Sequence, residues 1–134
     1  MVRLAITGEP SFELSDCEMK RGGVSYTFDT VLEFEKKYPG AQLFLILGKD
    51  SFETIDQWHR AAELKQKVRF LVAQRGPSEI PMSGYIPAER IRMPLCPISA
   101  SAIRETIKRG RSVDDELSPA VLQYIRAHVL YGGN

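Results

Sequence analysis

The feature that most constrains this chain is a pair of short strand-like runs on either side of a helical stretch. Leu43-Phe44-Leu45-Ile46-Leu47 is wholly apolar and is followed by Gly48. A run so compact and uninterrupted reads as a strand buried on both faces of a parallel sheet. Val68-Arg69-Phe70-Leu71-Val72 reads as a second buried strand. Between them, from Ser51 to Lys65, Phe52, Ile55, Trp58, Ala61 and Ala62 recur at near-helical spacing. Strand, helix and strand in that order make a βαβ unit, because parallel neighbours need a crossover between them.

The rest of the chain extends the alternation. Met1 to Ile6 reads as the last turns of an apolar-faced helix closed by Gly8 and Pro10, and Phe12-Glu13-Leu14 alternates like a short strand. Ser25-Tyr26-Thr27 leads into a helix with Thr27 as its N-cap; Phe28, Val31 and Leu32 share a face until Pro39-Gly40 stops it. Gly76, Pro77, Pro81, Gly84 and Pro87 make residues 74–89 a connecting loop, and Ile91 to Leu95 is a third short strand. One helix then opens after Ser99, with Ile103 and Ile107 on one face and Gly110 as its stop. Another has Ser118 as cap and Pro119 in its first position, and runs to about Leu130. The expectation is an α/β fold with a mostly parallel sheet, residues 1–134 forming a single domain.

Composition narrows the function. A chain of 134 residues is long enough to bury one core. Its 18 Lys and Arg nearly balance 17 Asp and Glu, and a net charge of +1 gives no general pull toward nucleic acid or a membrane surface. The apolar runs are too short to span a bilayer and the N-terminus has no signal pattern, which leaves a cytoplasmic protein as the default. Cys17 and Cys96 are isolated and His59 and His128 are the only imidazoles, so no spacing suggests a protein-built metal site.

In open parallel sheets, ligands collect beyond the C-terminal ends of the strands. Three segments follow predicted strands: Gly48 to Ser51, the loop from Gln74-Arg75-Gly76, and Pro97 to Arg104. The last puts the hydroxyls of Ser99 and Ser101, unpaired backbone amides and the Arg104 guanidinium at a helix start, which is a phosphate site in outline. Ser99 fits an ordinary N-cap equally well. Gly48 permits close backbone approach, while Asp50 either accepts bonds from a ribose diol or caps the next helix. Trp58 fits a core position or a stacking platform.

Read together, these segments resemble the nucleotidyltransferases with an H-x-G-H signature near the N-terminus and an I-S-x-[ST]-x-[IL]-R signature near the C-terminus. Ile98-Ser99-Ala100-Ser101-Ala102-Ile103-Arg104 matches the second signature. Ser25-Tyr26-Thr27-Phe28-Asp29-Thr30 resembles the S-Y-T-x-x-T segment of nicotinate-nucleotide adenylyltransferases, and Gly48-Lys49-Asp50-Ser51 with Trp58 resembles their G-x-D…W pattern. The tail from Ile125 to Tyr131 is similar to theirs as well. The resemblance implies a Rossmann-like nucleotidyltransferase fold, with a parallel sheet carrying helices on both faces. It also implies transfer of AMP from ATP to nicotinate mononucleotide, giving deamido-NAD and pyrophosphate in NAD biosynthesis. Thr27 and Trp58 then bind the nicotinate ring, and Gly48 and Asp50 hold the adenosine. Ser99, Ser101 and Arg104 hold the ATP phosphates, and Mg²⁺ travels with the ATP.

One family segment has no counterpart. Family members begin with G-G-T-F-D-P-x-H-x-G-H, whose histidines bind ATP phosphates and stabilise the transition state; His59 and His128 lack that context, so no catalytic residue is assigned. By this resemblance Met1 aligns inside a helix that follows the first two strands, and the chain reads as an N-terminally incomplete domain. In a sheet of order 3-2-1-4-5 the first strand is central. Without it, Phe12 to Leu14 has no neighbour beside Leu43 to Leu47, and the open edge predicts poor stability or rearrangement for this polypeptide by itself. Two further readings stand beside the first. One is a pantetheine-phosphate adenylyltransferase-like enzyme, against which the Ser25 to Thr30 segment and Trp58 argue. The other is a non-catalytic nucleotide-binding remnant or subunit. A preference between nicotinate and nicotinamide mononucleotide, and assembly as a homo-oligomer, stay open.

Overall fold

The computed structural model describes residues 1–75, 88–94 and 98–132. In chain order the elements are α1 (Val2–Ala5), α2 (Cys17–Arg21), α3 (Thr27–Lys37), β1 (Leu43–Gly48), α4 (Lys49–Glu53), a 3₁₀ turn (Ile55–Gln57) and α5 (Ala61–Lys67). They continue with β2 (Val68–Arg75), β3 (Ala88–Met93), α6 (Ala100–Lys108), α7 (Pro119–Ala127) and a second 3₁₀ turn (Leu130–Gly132). Two compact units divide the chain, one of Asp16–Cys96 and one of Met1–Ser15 with Pro97–Asn134. Among the described residues no helix is long and apolar enough to cross a membrane.

The Asp16–Cys96 unit holds a parallel sheet of order β1-β2-β3. Leu43 faces Val68 across the first ladder and Phe70 faces Ala88 across the second. The predicted βαβ unit is therefore present, with α4, the 3₁₀ turn and α5 as its crossover. Its core gathers Phe28 and Val31 from α3, Phe52, Ile55 and Leu64 from the crossover, and Val68, Phe70 and Val72 from β2. Phe70, Val72 and Leu64 are fully buried, and each such side chain contributes roughly 1.5–3 kcal/mol by leaving water.

Several local expectations are corrected. β1 is not buried on both faces: Leu43, Leu45 and Leu47 pack on the core, whereas Phe44 and Ile46 are 48% and 64% exposed. The reason is that β1 is an edge strand of the described sheet and the core lies against one of its faces. Phe12-Glu13-Leu14 forms no strand, and Phe12 is exposed. Strand backbone needs a neighbour to complete its hydrogen bonds, and the described sheet offers none to this segment. Tyr26, not Thr27, occupies the N-cap of α3, and Thr27 is its first helical residue.

The stretch from Ser51 to Lys65 is likewise not one helix. Trp58 is extended (ψ 153°) and Arg60 is left-handed (φ 53°), and these two residues split the crossover. β2 runs on to Arg75 and β3 begins at Ala88, inside the segment read as loop. Residues 76–87 of that loop, and Leu95 at the end of the predicted third strand, lie outside the described residues.

In the second unit, Ile107, Val113, Val121, Leu122 and Ile125 form the core, with Leu4, Ile103, Leu117, Leu130 and Tyr131 packed against it. Gly110 takes φ +67° just past α6, the left-handed stop that its position after Lys108-Arg109 predicts. Ser118 and Pro119 start α7 as expected, while the helix ends at Ala127, before Leu130.

Candidate active site

The break in the crossover shapes a cleft. Ser25, Tyr26, Thr27, Trp58 and His59 line a depression of about 300 Å³ in the Asp16–Cys96 unit. One wall is the chain entering α3; the other is the segment between the 3₁₀ turn and α5. Thr27 and Trp58, assigned from sequence to one subsite, therefore share one cleft. Trp58 is half-buried: it packs against the core, as one of its two readings has it, and also lines the cleft.

The two walls are joined twice. Tyr26 and His59 stack with ring centroids 4.1 Å apart and planes at 25°. Behind them, the Arg60 guanidinium lies over the buried Phe28 ring at 4.0 Å and bonds Glu63 through Nε and Nη2. The hydrogen bond with Glu63 raises the Arg60 pKa, and the same bond holds the Glu63 carboxyl below the usual carboxylate range. Sequence reasoning missed Ser25, Tyr26 and His59 as lining residues. The available signal was adjacency, since each lies within two residues of Thr27 or Trp58.

Gly48 and Asp50 lie at the C-terminal end of β1. Gly48 is the N-cap of α4, with φ −74°, and a Cβ built on it meets no atom within 4 Å. Neither its backbone angle nor its neighbours require glycine there. Asp50 is exposed in the first turn of α4, where its charge favours the helix dipole, and is not the cap.

The serine and arginine motif opens α6 in the other unit. Ser99 is the N-cap, its Oγ accepting from the Ala102 amide at 3.5 Å. Arg104 Nη2 donates to Ser101 Oγ at 3.1 Å, and both residues are exposed. The capping reading of Ser99 therefore holds, and one such cap satisfies only one of the first-turn amides. His128 sits at the end of α7, its Nδ1 2.9 Å from the Tyr124 carbonyl and its ring stacked on Tyr124.

No family model matches the chain. A solved Plasmodium falciparum nicotinic acid mononucleotide adenylyltransferase complexed with NaAD is similar in fold. The TM-score is 0.76 at 20% identity, over 100% of this chain and 72% of that one. That likeness and the parallel βαβ sheet define the class, an α/β protein of nucleotidyltransferase fold. Relatives closer in sequence narrow it. The probable nicotinate-nucleotide adenylyltransferase of Oceanobacillus iheyensis is 36% identical over 132 residues, 98% of this chain and 68% of that protein. The protein of the same name from Streptococcus pyogenes serotype M1 is 37% identical over 131 residues, 98% of this chain and 61% of that protein. The chain belongs to the nicotinate-nucleotide adenylyltransferase family and spans about two thirds of the length of these relatives.

Proposed function

We propose that the full-length protein transfers AMP from ATP to nicotinate mononucleotide, forming deamido-NAD and pyrophosphate. The observation that carries this reading is the Thr27–Trp58 cleft in a chain of this family. An indole face beside a hydroxyl suits a flat pyridine ring bearing a carboxylate, since the ring stacks and the acid accepts a hydrogen bond. Gly48 and Asp50 hold the adenosine: the open space over Gly48 admits a nucleoside, and the Asp50 carboxylate accepts from the ribose hydroxyls.

Ser99, Ser101 and Arg104 bind the phosphates of ATP. A phosphate oxygen of nicotinate mononucleotide attacks the α-phosphorus, the bond from that phosphorus to the bridging oxygen of the β-phosphate breaks, and pyrophosphate leaves. The α6 amides and Arg104 stabilise the charge that builds on the departing group. Mg²⁺ enters as part of the MgATP substrate, coordinated chiefly by phosphate oxygens and water.

Trp58 is the single tryptophan of the 134-residue chain, so the fluorescence of this chain reports the cleft directly. Nicotinate mononucleotide is expected to quench that emission saturably. Emission that stays constant up to millimolar ligand rejects the assignment of Trp58 to the pyridine.

A further inference from the structure

Thr30 does not line the cleft, yet it sits at the centre of a hydrogen-bonded chain that holds the cleft's first wall. Its Oγ1 donates to Glu18 Oε1 at 2.6 Å and accepts from Arg21 Nη1 and Nη2 at 3.3 and 3.4 Å. Arg21 Nη2 also donates to Glu33 Oε2 at 2.8 Å. Glu18 and Arg21 belong to α2, whereas Thr30 and Glu33 lie one turn apart on α3. The hydroxyl is thus a two-sided pin between the helices, donating to Glu18 and accepting from both terminal nitrogens of Arg21.

The segment between those helices delivers Ser25, Tyr26 and Thr27 to the cleft. It begins with Gly22 and Gly23, both at positive φ, where the backbone has little conformational preference of its own. Ser25 Oγ donates back to the Glu18 carbonyl at 3.4 Å, tying the segment to the residue that Thr30 holds. A glycine-rich connection takes its shape from the contacts that fix its ends; here the Thr30 hydroxyl ties both Glu18 and Arg21 to α3, beside the direct Arg21–Glu33 bond.

We infer that Thr30 is a positioning residue for the acceptor nucleotide, acting through Glu18 and Arg21 to fix the Ser25–Thr27 wall. The inference rests on the proposed acceptor, nicotinate mononucleotide. Thr30→Val keeps the shape of the side chain and removes the bonds to Glu18 and Arg21; Thr30→Ser keeps the hydroxyl. Steady-state kinetics on the full-length protein with each substrate varied, alongside thermal melts, separate the outcomes. Losing a hydrogen bond of ordinary strength is expected to raise KM for the mononucleotide about fivefold in Thr30→Val, with KM for ATP unchanged and Thr30→Ser near wild type.

An unchanged mononucleotide KM in Thr30→Val overturns the inference. So does a parallel loss in both KM values and kcat with a lowered melting temperature that Thr30→Ser fails to restore, because that pattern is a general structural role. Failure of the wild-type protein to use nicotinate mononucleotide at all is a different result, and it rejects the acceptor itself.

Discussion

The Arg60 guanidinium covers the Phe28 ring at 4.0 Å, and each residue is chain neighbour to a wall of the cleft. Phe28 follows Thr27, and Arg60 follows Trp58 and His59. Phe28 is buried in the core, so the cation anchors the second wall to the core. Above it the Tyr26–His59 stack joins the same walls at their exposed side. A ring slipped between Thr27 and Trp58 meets a cleft whose width is set beforehand, which lowers the cost of ordering it on binding.

The Arg60–Glu63 pair gives this region a defined response to acid. The Glu63 carboxyl is held low by its hydrogen bond from Arg60 and by their charges, so the unfolded chain takes up that proton more readily than the folded one. Its stabilising effect is complete above the ordinary carboxylate value of about 4.3 and is lost as pH falls through the lower folded value. Arg60 stays charged throughout. Glu63→Gln is expected to melt slightly below wild type at neutral pH, and the two curves should converge in acid once the pH lies below the lowered Glu63 value. A difference independent of pH contradicts the pairing.

Trp58→Phe tests the stack with the least damage to the core that Trp58 also touches. Replacing indole by phenyl should raise KM for nicotinate mononucleotide roughly two- to tenfold, the range of an aromatic contact, while KM for ATP holds. Equal rises in both values reject a pyridine-specific role.

Gly48→Ala separates folding from ligand approach. The added methyl meets no atom within 4 Å and the φ of −74° suits alanine, while the N-cap position favours glycine, so the two effects offset and stability is expected to change by less than about 1 kcal/mol. Affinity for ATP should fall. Unchanged ATP kinetics in a well-folded Gly48→Ala protein remove Gly48 from the adenosine site.

Arg104 bonds the Ser101 hydroxyl through its side chain and is exposed. Arg104→Ala is expected to leave the melting curve within about 0.5 kcal/mol of wild type and to lower kcat/KM for ATP by about 10²–10³. Lysine should restore little, because the fork that spans two phosphate oxygens is lost. A melting loss matching the activity loss would make Arg104 structural.

The sequence carried the βαβ unit plainly, because five consecutive apolar residues at Leu43–Leu47 and a helical spacing after them leave few alternatives. It misjudged their surroundings, since an uninterrupted apolar run is the same whether both faces or one are covered; Phe44 and Ile46 are exposed here. The break at Trp58–Arg60 was hidden for a related reason. Apolar spacing continues in register across it, while the left-handed turn falls on Arg60, a residue with no special preference for it. That Thr27 and Trp58 share a cleft was legible through the motifs that placed both in one subsite. Tyr26 and His59 were not, because their role depends on a stack that forms only once the walls face each other.

The most direct measurement is the product formed by the full-length protein with MgATP and a choice of acceptors. With nicotinate mononucleotide it should release deamido-NAD and pyrophosphate in equal amounts, with much slower turnover of 4′-phosphopantetheine. No deamido-NAD from an intact, folded preparation, or faster adenylylation of phosphopantetheine, would contradict the account.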